Sequence, residues 1–142
     1  MKKIFAIAIM LVLPTVVSTQ GPVPQTDPCL AKATTQAEVT ACAVRAIDEA
    51  NAELNLVYEQ LLRKHAPHKN FIKKLKLAQE AWLKFRDAHI ESLYPEPDID
   101  QLRAEGTVYP MCKAMEIARL TAERTRSLKN ILEHKEGDVC GF

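Results

Sequence analysis

Three stretches of this chain repeat apolar residues every three or four positions, and no stretch alternates β-branched residues at a spacing of two. The first spacing lines one face of a helix and the second would line one face of a strand. The expected fold is therefore all-α. In the first stretch Ala43, Ala46, Ala50, Leu54, Val57 and Leu61 share a face. Thr34 or Thr35 is placed to cap its start, and Glu38, three residues after Thr35, completes a capping box. Pro67 stops it, having no N–H to give a helix interior. The second stretch opens near His68 to Asn70, carries Phe71, Leu75, Ala78, Trp82 and Phe85 on one stripe, and ends before Pro95. The third runs from about Met111, with Ile117, Leu120, Leu128 and Ile131, towards Gly137. The predicted architecture is a three-helix, up-down-up antiparallel bundle. A long connection, Pro95 to Pro110, precedes the third helix; Ile99 to Ala104 within it has room for one helical turn.

The 142 residues make one domain and are too few for two. Ahead of the helices, Lys2 and Lys3 precede the apolar run Ile4 to Leu13, and Val16-Val17-Ser18 offers the small side chains that a signal peptidase reads. Residues 1–18 are read as a secretory signal peptide. The run is too short to span a bilayer, which takes about 20 apolar residues, and no cysteine stands at the cleavage point to take a lipid, so no membrane anchor is expected. Residues 19–33, with Pro22, Pro24 and Pro28, read as an extended lead-in. Residues 34–136 form the helical domain and 137–142 a tail. A formal charge of +1 gives no footprint for a nucleic-acid partner.

Export gives the cysteines a meaning. Cys29, Cys42, Cys112 and Cys140 all survive cleavage into a compartment that favours disulfides. Cys29 and Cys42 are a local pair, since a short extended segment folds back over two helical turns. Cys112 with Cys140 follows by elimination. An unbroken third helix strains that second pair, because the tail is shorter than the helix it must retrace. No Cys/His spacing fits zinc, so no metal is expected.

Other chemistry is thin. His65 and His68 flank Pro67 without a third ligand at a known spacing and read as solvated turn residues. There is no G-x-S-x-G, no phosphate loop and no H-E-x-x-H, so neither an enzyme nor a cofactor is expected. Polar residues on apolar stripes say more. Asn55 and Tyr58 share a face of the first helix. Gln79 and Arg86 share one with Trp82 on the second, and Arg124 interrupts the stripe of the third; Asp87 can pair with either arginine. Polar groups at helix interfaces need partners, so these are expected to form a network that sets helix register; a ligand or partner site is the alternative reading. The connection before the third helix carries Glu96, Asp98, Asp100 and Glu105 against Arg103 alone, a local net charge of −3. That acidic surface would steer encounter with a cationic partner; the alternative is an ordinary solvated crossover whose charges keep it soluble.

These residues, taken together, resemble a known family. Cys29-Leu-Ala-Lys-Ala-Thr-Thr-Gln-Ala-Glu followed by Cys42 is similar to its opening, and Leu54-Asn55-Leu56-Val57-Tyr58 to its L-N-x-x-Y helix. Ala78-Gln79-Glu80-Ala81-Trp82-Leu83-Lys84-Phe85-Arg86-Asp87 is similar to its A-Q-x-x-W-x-x-[FY]-R-D signature. Gly106 to Met111 and Leu120-Thr121-Ala122-Glu123-Arg124 resemble its last block. The family is the lysozyme inhibitor LprI-like family of secreted bacterial helical domains, and the resemblance covers about residues 29 to 132. It implies a secreted or periplasmic, non-catalytic binding protein whose partner is a lysozyme-type muramidase. An envelope interaction protein unrelated to lysozyme, such as an immunity factor against a periplasmic toxin or a stress-linked accessory protein, is the alternative. The family often carries a cysteine shortly after the R-D pair and another early in the third helix. Ile90 and Glu116 stand at those places here, so the second bridge must differ or be absent.

Overall fold

The computed structural model describes residues 27–96, 100 and 108–133. Among them are three long helices and no strand: α1 (Gln36–Lys64), α2 (Lys69–Leu93) and α3 (Val108–Glu133), preceded by a 3-10 turn, Leu30–Lys32. The end of the lead-in is therefore wound rather than extended. The helix starts follow local chemistry. The Thr35 hydroxyl accepts from the Glu38 N–H, and the Glu38 carboxylate accepts in return from the N–H groups of Thr34 and Thr35, at 2.7 and 2.9 Å. Those bonds favour the ionised form and hold the Glu38 carboxyl below its ordinary pKa. The third helix begins at Val108, three residues before Met111. Pro110 is no obstacle there, because a first-turn residue has no intrahelical N–H bond to lose.

The helices run up, down, up. Gln36 reaches Met111 at 3.3 Å, Glu53 pairs with Lys129 at 2.5 Å, and Lys64 Nζ donates to the Leu132 carbonyl. The matching order makes α1 and α3 parallel. The short turn after Lys64 sends α2 back, and its last residues meet the start of α3, where the Tyr94 and Tyr109 rings stand edge to face at 5.7 Å. The Tyr109 hydroxyl donates to the Pro95 carbonyl, so both ends of the acidic connection are tied at its base.

Packing is uneven. α1 and α3 are in close contact along their length, whereas α2 meets α3 far less. Small residues allow this: Ala43 and Ala114 are buried, as are Thr121 and Thr125. The threonines lie inside an apolar interface because each hydroxyl bonds a carbonyl one turn back, Thr121 to Ile117 at 2.8 Å and Thr125 to Thr121 at 3.0 Å. At the far end Leu54, Val57, Leu61, Leu75 and Leu128 form one core cluster, with Tyr58, Phe71 and Trp82 packed against it.

The stripe expected on α2 is only partly buried. Leu75 and Ile90 face inward, but Ala78 and Phe85 are exposed, Phe85 by 57%. Steps of three and four spread the stripe over a wide arc, and the middle of the inward face belongs to Gln79 and Arg86. The turn histidines also differ from expectation. His68 is exposed, but His65 is half-buried, with its ring 4.3 Å from that of Phe71.

Candidate functional site

The first bridge exists. Cys29 and Cys42 are joined, with Cα atoms 5.7 Å apart, stapling the 3-10 turn to the first turns of α1. The bridge expected for Cys112 is not formed, and Cys112 is a half-buried free thiol. α3 continues to Glu133, which puts about 31 Å of helix beyond Cys112, while the seven residues to Cys140 span at most about 25 Å. Cys140 itself lies outside the described residues. Cys112 sits one turn before Glu116, and Ile90, on α2, is buried in apolar packing.

The polar residues predicted to share the helix interfaces mostly meet. Arg124 of α3 donates from Nε to the Gln79 side-chain oxygen of α2 at 3.0 Å. Its guanidinium lies 5.9 Å from the centre of the Trp82 ring, and the Arg86 guanidinium lies 5.3 Å from the same ring. Tyr58 of α1 interacts electrostatically with Arg124 from the third side. Two cations beside one indole are favourable because the ring face is negative; each such contact contributes about 0.5–2 kcal/mol, more as water is excluded. Burial shapes the ionisation here. It pushes the Tyr58 phenol above its ordinary value, with help from Glu59 and Glu80, and pulls the Arg124 guanidinium below its own.

Two expectations for this cluster, for Asn55 and Trp82, need correction. Asn55 is exposed and takes no part in it: Tyr58 turns towards the core, and Asn55, three residues earlier, falls beyond the edge of that face. Asp87 pairs with one of the two arginines open to it, Arg86, on its own helix. It accepts from Nε and Nη2 of Arg86 at 2.9 and 2.8 Å, next door in sequence, and points into solvent. Trp82, whose place on the apolar stripe of the second helix points it to the core, is half-buried at its margin, because the arginines flanking the indole must stay near water. Of the acidic connection, Glu96 and Asp100 are exposed; Asp98 and Glu105 lie outside the described residues.

Some features had little trace in the sequence. A shallow, open depression beside the disulfide is lined by Pro28, Lys32, Ala41 and Arg45 among others. Arg119 clamps Glu116 and Glu123 on the outside of α3, both at 2.5 Å, and its hydrogen bonds hold the Glu116 carboxyl below its ordinary pKa. Only the i, i+3 and i, i+4 spacing on α3 hinted at that clamp. Among the described residues, no group of three or more His, Cys, Asp or Glu side chains is placed to hold a metal. No described helix is long and apolar enough to cross a membrane.

Fold and site together define a small all-α domain, stapled by a disulfide at its first helix and keyed by an arginine–tryptophan seam between its helices. The chain belongs to the lysozyme inhibitor LprI family, whose model matches residues 29–128, from the first bridged cysteine to the core leucine of α3. The uncharacterized protein R02472 of Rhizobium meliloti (strain 1021) is a relative, 29% identical over 123 residues that cover 79% of this chain and 84% of its own length. No solved structure matches.

Proposed function

We propose that this chain is an exported, non-catalytic binding protein that inhibits lysozyme-type muramidases in the bacterial envelope. The family match over residues 29–128 carries the reading, since it takes in all three helices, the disulfide and the seam. The Cys29–Cys42 bridge fits an oxidising compartment, in keeping with residues 1–18 acting as a signal peptide.

The contact surface we assign is the acidic connection, with Glu96, Asp98, Asp100 and Glu105. Many lysozymes are cationic, and an acidic patch accelerates encounter with them more than it deepens final affinity. The test is lysis of a cell-wall suspension by a cationic lysozyme with increasing amounts of the mature chain, alongside direct binding at low and high salt. Lysis is expected to fall with dose. The triple variant Glu96→Gln, Asp98→Asn, Asp100→Asn is expected to bind more weakly at low salt and to lose much of its salt dependence, since exposed charges are screened over about 8–10 Å. Absence of binding and inhibition by the wild-type chain would pass the function to an envelope interaction protein unrelated to lysozyme.

A further inference from the structure

The seam has chemistry left over. The only hydrogen bond Arg124 makes to the described residues is from Nε to Gln79, and none of their carboxylates pairs with it. Its remaining donors lie on the two Nη atoms. The Tyr58 hydroxyl, across the same seam, likewise makes no hydrogen bond to the described residues. The nearby Arg86 is already neutralised by Asp87. A half-buried guanidinium with unpaired fork nitrogens, held over an indole and within electrostatic range of a phenol, is a set of donors open to an acceptor. Water solvates these donors in the free chain, and an acceptor from a partner can take its place. A planar carboxylate is the acceptor whose geometry matches a guanidinium fork.

We propose that Arg124 and Tyr58, supported by Trp82, receive the carboxylate of an acidic side chain presented by a protein partner. The Arg124 fork takes the two oxygens, and the Tyr58 hydroxyl donates to one of them. Gln79 holds the guanidinium in place through Nε and is a positioning residue. The partner's segment then covers Trp82, a ring of the kind that anchors protein interfaces. The inference rests on the reading of this chain as a binding protein, but not on lysozyme being what it binds.

Trp82 is the single tryptophan, so its fluorescence reports on this site alone. The full mature chain is titrated with the blocked peptide Gly-Ser-Glu-Ser-Gly, with its Gln counterpart, and with acetate, all at constant ionic strength. The Glu peptide is expected to change Trp82 emission saturably in the millimolar range, and the Gln peptide to leave it unchanged. Arg124→Met should abolish the response, and Arg124→Lys should weaken binding about tenfold, because an ammonium keeps the charge and loses the fork. Tyr58→Phe, which removes one oxygen and no volume, should weaken it about fivefold, the worth of one hydrogen bond, with its melting temperature close to wild type. Equal responses to the Glu and Gln peptides, no response at all, or wild-type titration of both Arg124→Lys and Tyr58→Phe would overturn the proposal. Acetate binding as tightly as the peptide would overturn the assignment to a protein segment. A chain that responds to the Glu peptide yet leaves lysozyme active keeps this site and loses the lysozyme reading. The reverse result keeps that reading and loses the site.

Discussion

The α1–α3 pair and helix α2 are stabilised in different ways. Between α1 and α3 the backbones come close over small residues, and the hydroxyls of Thr121 and Thr125 are satisfied within their own helix. α2 has two buried residues, Leu75 and Ile90, and spends its inward positions on Gln79, Trp82 and Arg86. On its outer side Leu77 and Phe85 remain half or more exposed. The first region is a packing interface with little chemistry to offer. The second gives up apolar burial for a polar seam, and the chemistry left over lies there. In a small domain one tight pair can supply enough burial to let the third helix carry polar groups.

Substitutions separate these regions by the size of their effect. Leu128→Ala removes a side chain with no exposure from the shared core, and should cost about 2–5 kcal/mol in chemical denaturation. A loss below 1 kcal/mol would mean that α1 and α3 are not the structural centre. Replacing both Cys29 and Cys42 by Ser opens a loop with a sequence separation of 13. On chain-closure arguments this costs about 3 kcal/mol, and mass spectrometry of the unreduced wild type should show the two peptides linked. Trp82→Ala should be milder than Leu128→Ala, about 2 kcal/mol, because the ring sits at the core margin and only part of its area leaves water. If the two substitutions cost the same, the seam is as structural as the core. Leu77→Ser, on the outer face, should stay within about 0.5 kcal/mol.

The smallest effect is a pH dependence. The Glu38 carboxyl is held below its ordinary value by the capping box, so its contribution is complete above the unfolded pKa, near 4.5, and is lost as pH falls through the lower folded value. Glu38→Gln should therefore be slightly less stable than wild type at neutral pH, and the difference should shrink on acidification. Thermal melts at pH 7 and pH 3 check the sign. A gap that widens in acid would contradict the cap.

Local features were legible where local physics decides them. The capping box at Thr35 and Glu38, the helix stop at Pro67 and the Cys29–Cys42 pair depend on residues a few positions apart. The convergence of Tyr58, Gln79, Trp82, Arg86 and Arg124 was also legible, because polar residues on apolar stripes must meet somewhere. Their partners were not. Asp87 stood within reach of two arginines, and only the relative rotation of α2 and α3 gave it to Arg86. Phe85 and Ala78 were misplaced for a related reason: a stripe spaced by threes and fours covers an arc wider than a contact face, and periodicity does not say which edge turns outward.

Sequence by itself determined the all-α class, the three helices with their capping and stops, the first disulfide and the residue types at the interfaces. Each of these follows from propensity, spacing or short-range geometry. Tertiary structure alone decided that α1 and α3 form the close pair, that Cys112 sits half-buried on α3 outside the disulfide, and that Trp82 lies at the margin of the core between two arginines. These depend on how far apart helix axes settle and how each helix is rotated about its own. Those quantities are set by the fit of side chains distant in sequence, such as Ala43 and Ala114 or Gln79 and Arg124, and no stretch of chain read alone contains that fit.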